Sequence, residues 1–209
     1  QWQREFSILA YAYLDAGRIG QARAALWEYL GISAWTEFNR QQCCDTALSY
    51  QQALLVRYLA DSLNDAEYGA DSRNVFAEWK NEFLNCLKRI RYEKRSHPWQ
   101  LWTYNLGRLL AETDEIELAK NAWQTSLDLC FCGGETVVVM GLLPLAGLFK
   151  YNLYGAEEKR KLGEIFDLLQ KTSSLSRKHF SELLACQKEE DVLKLVAEKP
   201  EKFFPFSYR

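Results

Sequence analysis

The residue types that could carry out catalysis are few in this sequence, and their spacing does not assemble a reactive group. The chain has two histidines, His97 and His179, and neither has a cysteine or carboxylate at ligand spacing that would make a convincing metal site. Ser176 and Ser181 lie near His179, but neither belongs to a motif that would set a base beside the hydroxyl. The sequence therefore predicts no catalytic centre, no cofactor and no enzyme activity.

Cysteines could bind zinc or form disulfides, and the chain has six of them. They are Cys43, Cys44, Cys86, Cys130, Cys132 and Cys186. None forms the C-x-x-C spacing that lets two thiolates bind one zinc ion. A helical chain of this length does not need disulfides for stability, so we expect reduced cysteines and an intracellular location, cytoplasmic or nuclear.

Two other motifs have simple structural interpretations. Gly133-Gly134 lacks the Lys-Ser/Thr pair that a phosphate-binding loop requires, so it predicts a helix break. The run Glu-Glu-Lys-Arg-Lys at 157–161 is typical of a solvated helix face with pairing between residues i and i+4. Neither motif predicts a site.

A basic stripe is the charged feature with the most functional content. Lys88, Arg91 and Arg95 share one helix face because three and four positions separate them, and Arg89 and Lys94 lie on its flanks. Such a stripe could contact RNA phosphates or an acidic partner peptide. It could equally be the outer face of a long helix, since the helix dipole favours cations near the C-terminus.

Three tryptophans could add base stacking to that stripe. Trp99, Trp102 and Trp123 are large aromatic surfaces of the kind on which nucleic-acid bases stack. Their helical spacing, however, is typical of residues in a core, and this is the interpretation that we favour.

The composition is that of a folded, helix-rich protein. Of the 209 residues, 48% are hydrophobic and 26% charged, and 11 Gly and 4 Pro are too few turn residues for an all-β fold. The net charge of -2 gives no overall attraction to nucleic acid or an anionic membrane. The longest apolar stretch, Thr136–Phe149, is shorter than the ~20 residues of a membrane helix. Because the chain begins at Gln1 without a methionine, we expect a fragment of a larger protein.

Helical periodicity predicts two clear helix hairpins. The first spans 2–30, with its turn at Ala16-Gly17, and the second spans 99–129, with its turn at Thr113-Asp114. The other predicted elements are a helix from Asp45, a loop from Asn64 to Asn74, a helix from Val75 to Arg95, a buried helix from Glu135 to Lys150 interrupted at Pro144, shorter helices at 157–171, 176–186 and 189–198, and an aromatic tail at 203–208 that folds back. The helices of 135–209 are atypical, because they do not follow the hairpin pattern of the helices before them.

The two hairpins can be aligned with each other. The aligned pairs are Leu9 with Leu106, Ala10 with Gly107, Ala22 with Ala119, and Leu26 with Trp123. Small residues thus occupy the same positions between large ones in both hairpins. This pattern resembles the tetratricopeptide repeat, in which helices A and B touch at small residues. The separation of the two alanines is close to three repeats of about 34 residues.

A related repeat is similar as well. Ala22-Arg23 followed by Trp27-Glu28 resembles the half-a-TPR repeat of RNA-processing scaffolds, as does Ala119-Lys120 followed by Trp123. The resemblance implies an all-α fold: one domain over 1–209, built as an α-solenoid of antiparallel helix hairpins in a right-handed superhelix. It also implies a concave surface that binds a protein partner.

These observations support three alternative functions. The leading one is a non-catalytic protein–protein interaction scaffold, as a fragment or subunit of a larger intracellular assembly. The second is an RNA-processing factor of half-a-TPR type that contacts RNA through the basic stripe. The third is a regulatory ligand-sensing domain of a larger protein. We expect no membrane association, and the sequence leaves the oligomeric state open.

Overall fold

The computed structural model describes residues 2–40, 49–93, 98–171 and 179–205, and the side chains of 4–40, 50–90, 98–171 and 179–205. Within those ranges the chain is helical and has no strand, which confirms the all-α class. The helices are α1 (Trp2–Asp15), α2 (Ile19–Leu30), α3 (Ser49–Ser62), α4 (Gly69–Glu93), α5 (Trp99–Glu112), α6 (Ile116–Phe131), α7 (Glu135–Val139), α8 (Leu142–Lys150), α9 (Ala156–Lys171), α10 (Ser181–Leu184), α11 (Glu189–Glu198) and α12 (Pro200–Phe203). A short 3₁₀ turn, Trp35–Glu37, follows α2.

The first two helices pack against each other across a tight turn. Gly17 has a φ of 67°, a left-handed conformation that glycine adopts without a steric cost. The amide of Arg18 donates to the carbonyl of Tyr13 at 2.8 Å and closes the end of α1. Ala10 and Ala22, which have small side chains, are fully buried in this part of the core.

The contact between α5 and α6 is the most extensive helix pair among the described elements. The hydroxyl of Ser126 donates to the carbonyl of Gln100 at 2.6 Å and ties the two helices together. Farther along the pair, the Trp123 indole N–H donates to the carbonyl of Tyr104 at 3.2 Å. These side-chain to backbone bonds fix how the two helices are aligned.

One series of helices runs through the described structure, and we call it the central series. Helices α1, α3, α5, α8 and α11 contact one another in that order, although they are not consecutive in the chain. The remaining long helices pack against this series: α2 on α1 and α3, α4 on α3 and α5, α6 on α5 and α8, and α9 on α8.

Two clusters of buried residues hold together the central series and the helices that pack against it. The first cluster draws on α1 to α6 and on Leu148 of α8, and the second on α5 to α12, so that α5, α6 and α8 contribute to both. Trp35, in the 3₁₀ turn, anchors the connection after α2 because its ring packs against Trp27, Tyr58 and Trp79 with centroids 6.3, 5.9 and 5.7 Å away. The Trp35 indole also donates to Asp71 Oδ2 at 3.0 Å.

The predicted loop from Asn64 to Asn74 is wrong over its second half. Helix α4 begins at Gly69, because the Asp65 carboxylate accepts from the amides of Glu67 and Tyr68 and its carbonyl accepts from the amide of Gly69. This turn starts the helix six residues before the first apolar position that revealed it in the sequence. The polar residues that follow are mostly the outward face of the first helical turns.

The predicted interruption of the helix over Glu135–Lys150 lies before Pro144 rather than at it. Helix α7 ends at Val139 and α8 begins at Leu142, so that Pro144 falls in the first turn of α8. The N–H of a first-turn residue has no carbonyl within the helix to bind. Proline, which lacks this N–H, is therefore tolerated there. Gly141 lies at the break, where an added Cβ would come within 3.1 Å of Ile165 and 3.2 Å of Leu127.

Candidate functional site

A groove runs along the central series where its helices end. It consists of two adjoining cavities of about 370 and 360 Å³ that share Asp61, Tyr104, Arg108, Pro200 and Glu201. The remaining lining residues are Leu14, Asp15, Gly17, Ile19, Arg57, Ala60, Asn64, Asn105, Ala111, Glu112, Trp123, Ala146, Gly147, Lys150, Tyr151, Ala197 and Glu198. Most of them come from α1, α3, α5, α8 and α11 and the turns beside these helices, whereas Ile19 begins α2 and Trp123 belongs to α6.

A buried network of charges forms the floor of the groove. Arg57 Nη2 lies 2.7 Å from Asp15 Oδ1, and Arg57 Nε lies 3.0 Å from Asp61 Oδ2. Asp61 also binds Arg108, with 2.7 Å between its Oδ1 and Arg108 Nη1. Arg108 Nη1 donates to Asn105 Oδ1 at 2.9 Å as well. The network therefore joins α1, α3 and α5, and it holds its polar atoms in fixed positions.

The charges of this network support one another against the cost of burial. Burial alone would raise the pKa of Asp61, but Arg108 and Arg57 outweigh it and hold that pKa below its ordinary value. Burial would likewise lower the pKa of Arg57, but Asp61 and Asp15 raise it above its usual range. Asp61 and Arg57 therefore stay ionised at neutral pH.

Two guanidinium groups on the floor keep unused hydrogen-bond donors. The Arg57 side chain is only 7% exposed, and its Nη1 is buried without a hydrogen-bond partner among the described residues. Arg108 is 32% exposed, and its hydrogen bond and ion pair in the described structure both use Nη1. The floor therefore has donor capacity left for an oxygen acceptor.

Acidic side chains dominate the walls of the groove. Glu112 ends α5 and accepts from Asn64 Nδ2 at 3.2 Å. Glu198 ends α11, and Glu201 follows in α12. The side chain of neither residue forms a hydrogen bond or an ion pair within the described ranges. Together with Asp15 and Asp61, five carboxylates line the groove, against the cations of Arg57, Arg108 and Lys150.

The wall of the groove that carries Glu201 is held in place by two buried phenylalanines. Phe203 and Phe204 are almost completely buried, and Phe204 packs against Phe180 with ring centroids 5.7 Å apart. The carbonyl of Phe203 lies 2.7 Å from His179 Nε2. The predicted folding back of the aromatic tail is thus observed for 203–205, and the rest of that tail lies outside the described residues.

The predicted basic stripe does not contribute to the groove as far as it is described. Lys88 is exposed on α4 and does not line either cavity. The Arg91 side chain, and Lys94 and Arg95 altogether, lie outside the described residues.

The tryptophans considered for base stacking are core residues. Trp99, Trp102 and Trp123 are 3%, 0% and 1% exposed. Their faces are therefore covered by protein, and none of the three is available to stack on a base.

Seven of the eight residues aligned between the hairpins are buried. They are Ala10, Ala22, Leu26, Leu106, Gly107, Ala119 and Trp123. The packing role predicted for Leu9 is wrong, because its side chain is 43% exposed beside Ile8 at 42%. Helix α1 makes its main contacts with α2 and α3, and neither covers this face.

No arrangement that would hold a metal was found in the described ranges: no three His, Cys, Asp or Glu side chains come together there. The Cys130 thiol is buried, which raises its pKa above the ordinary value and makes the reactive thiolate less accessible. Cys43 and Cys44 lie outside the described residues.

Another cavity, of about 670 Å³, lies between the connection after α8 and the start of α11. Its lining includes Phe149, Tyr154, Lys159 and Glu189. Tyr154 donates to Glu189 Oε2 at 3.4 Å, and burial raises the pKa of that tyrosine. Its polar groups come from the connection after α8, from α9 and from the start of α11, whereas five helices of the central series converge on the groove.

The groove residues were not predicted as site residues, although a signal for them exists in the sequence. An acidic residue lies in the last turn of α1, α3, α5 and α11, namely Asp15, Asp61, Glu112 and Glu198, and none of these turns has a basic residue. The helix dipole disfavours an anion at that end. Such a departure, repeated four times, marks the helix ends as functional candidates.

Comparison of this chain with models of protein families, with curated proteins and with solved structures finds no match. The class that the structure defines is an all-α protein with a polar groove along its central series. No helix within the described ranges is both long and apolar enough to cross a bilayer.

Proposed function

We propose that this chain is a non-catalytic interaction scaffold that binds an extended segment of a partner protein in the groove. In this proposal, its helices stack as an α-solenoid of hairpins of the tetratricopeptide type. The succession of α1, α3, α5, α8 and α11 supports it, since stacked hairpins bring every first helix into contact with the next one.

The observation that carries the proposal is the preorganised floor of the groove. Arg57, Asp61 and Arg108 are fixed by mutual ion pairs, and they still line a concave surface. A rigid surface with unused donors loses little conformational entropy on binding, which favours recognition of a flexible segment.

The charge of the groove favours a protein partner over RNA. Its lining has two more carboxylates than cations, and an RNA backbone is a dense row of negative charge. The stacking that RNA binding would also use is not available from Trp99, Trp102 or Trp123. RNA binding would therefore have to take place elsewhere on the chain.

Isolation of the tagged chain at native level tests the proposal, with two variants of one helix as probes. Ala197→Trp fills the groove from an exposed position on α11, and Lys194→Trp places the same side chain on that helix outside the groove. We expect one protein partner to co-elute near stoichiometry and to be reduced about tenfold by Ala197→Trp alone. Equal recovery with both variants, or enrichment of RNA only, would contradict the proposal.

A further inference from the structure

The groove lies at the negative ends of several helices at once. Asp15 and Glu112 are the last residues of α1 and α5, Asp61 is the last but one of α3, and Glu198 is the last of α11. The C-terminus of a helix carries a partial negative charge from its free carbonyl groups. Acidic side chains and helix ends of the same sign therefore converge on one surface.

A repeated tripeptide produces this arrangement. Three helices of the central series have an apolar residue, an alanine and an acid in succession at or next to their C-terminus: Leu59-Ala60-Asp61, Leu110-Ala111-Glu112 and Val196-Ala197-Glu198. In each case the apolar residue is buried, and the alanine and the acid line the groove, where Ala60 and Ala111 are 9% and 5% exposed and Ala197 is exposed. The alanines make a smooth apolar strip, and the acids stand beside it.

Three of the acids, Glu112, Glu198 and Glu201, have no ion pair with any described residue. Asp61 is shared by two arginines, and Asp15 is paired with Arg57. Glu198 and Glu201, in contrast, have no ion pair with any described residue and face the groove from the same wall. Two of these three unpaired acids thus lie on this wall, and the third, Glu112, ends α5.

From this geometry we infer that the partner segment is basic and presents a lysine or arginine to the wall formed by Glu198 and Glu201. The aliphatic stem of such a side chain packs on Ala60, Ala111 and Ala197, and its cationic head reaches the carboxylates. This inference rests on the proposed function and specifies the chemistry of the partner.

The unused donors of the floor fit the same occupant. Arg57 and Arg108 are already neutralised by Asp15 and Asp61, so an added anion gains little net charge attraction there. A neutral acceptor such as a peptide carbonyl can accept from Arg108 without disturbing those pairs. The floor therefore recognises the backbone of the segment, and the wall recognises its charge.

Selection from random displayed peptides on the whole chain tests the inference without knowledge of the native partner. We expect enrichment of peptides with lysine or arginine, and binding that weakens as salt is raised. The double change Glu198→Lys and Glu201→Lys should weaken a selected basic peptide at least about tenfold. The matched double change Glu28→Lys and Glu117→Lys, at exposed acids outside the groove, should leave its affinity unchanged.

The outcomes separate this inference from the proposed function. Enrichment of acidic or neutral peptides whose binding Ala197→Trp blocks would overturn the basic partner and leave the scaffold standing. Basic peptides that bind the Glu198 and Glu201 double variant as tightly as the original chain would also overturn it. If no peptide is enriched, while the native partner is still recovered in the Ala197→Trp comparison, the inference fails and the scaffold proposal does not.

Discussion

The indole of Trp123 lies directly against the backbone of Gly107, and this contact sets how closely α5 and α6 approach. A Cβ added at Gly107 would lie 2.4 Å from Trp123 Nε1, well inside the closest distance that real Cβ atoms show. Gly147 of α8 approaches the same ring, where an added Cβ would lie 2.7 Å from Cε2. One buried tryptophan is therefore enclosed between bare backbone from two helices of the central series.

Gly107→Ala should lower the free energy of unfolding. The new methyl gains about 1 kcal/mol of helix propensity, but overpacking of a core typically costs about 1–3 kcal/mol. Because Trp123 is 1% exposed and enclosed on two sides, it has no room to move aside, and the steric cost should win. Gly163→Ala is the control, since nothing lies within 4 Å of its added Cβ. Chemical denaturation should show a loss for the first change and a small gain for the second.

Asp61→Asn should destabilise the fold strongly. The change removes the carboxylate that joins two guanidinium groups, and breaking a buried pair costs roughly 3–5 kcal/mol. The partial exposure of Arg108, at 32%, places the expected loss at the lower end of that range. Asp167→Asn on the exposed face of α9 should have little effect on the same denaturation curve. Similar losses for the two variants would contradict the role assigned to the network.

The contribution of Asp61 should also make the free energy of unfolding depend on pH. Because the pKa of Asp61 is lowered in the folded state, its contribution is complete above its ordinary value of 3.8 and is lost as the pH falls through the lower folded value. The free energy of unfolding should therefore fall below about pH 4. In Asp61→Asn this fall should be shallower than in Asp167→Asn. An equally steep fall in both would show that other carboxylates account for it.

Glu198→Lys should make the protein more stable and a weaker binder of basic peptides. Replacing an anion by a cation at the C-terminus of α11 improves the interaction with the helix dipole by about 0.3–1 kcal/mol. The same change removes charge from the wall of the groove. A stability gain together with lost affinity would separate binding from folding. Loss of both properties would instead assign Glu198 a structural role.

Phe204→Ala should release the wall that carries Glu201. The side chain is fully buried, and removal of a buried phenylalanine costs about 3–5 kcal/mol. Helix α12 should then detach before the rest of the chain unfolds, and hydrogen exchange of the amides of 201–204 should accelerate. Phe166→Ala, at a partly buried position of the same core cluster, should leave that exchange unchanged.

Local periodicity predicts much of this fold. The helix expected at 189–198 is observed as Glu189–Glu198, and the one expected at 157–171 begins one residue earlier. In these helices apolar and polar residues recur with the period of the α-helix. The local sequence is therefore enough to predict where they begin and end. The start of α4 escaped prediction because Asp65 initiates it through hydrogen bonds to backbone amides, which leave no apolar periodicity.

The groove could not be predicted in the same way because it is a tertiary arrangement. Asp15 and Arg57 are 42 positions apart, and nothing in either local sequence indicates that they pair. The Arg57–Asp61 spacing of four is visible in the sequence, but it resembles a common surface pair. Leu9 shows the opposite failure, since a position suited to packing in the repeat is left exposed by the described helices around it.

Photo-crosslinking from inside the groove is the most direct test of the central claim. A photoreactive amino acid at Ala197 would point into the groove, and the same group at Lys194 would lie outside it on the same helix. Irradiation in cells should give one discrete protein adduct from Ala197 and none from Lys194, with the cross-linked peptide rich in lysine or arginine. No protein adduct from Ala197, or the same adducts from both positions, would contradict a scaffold that binds its partner in this groove.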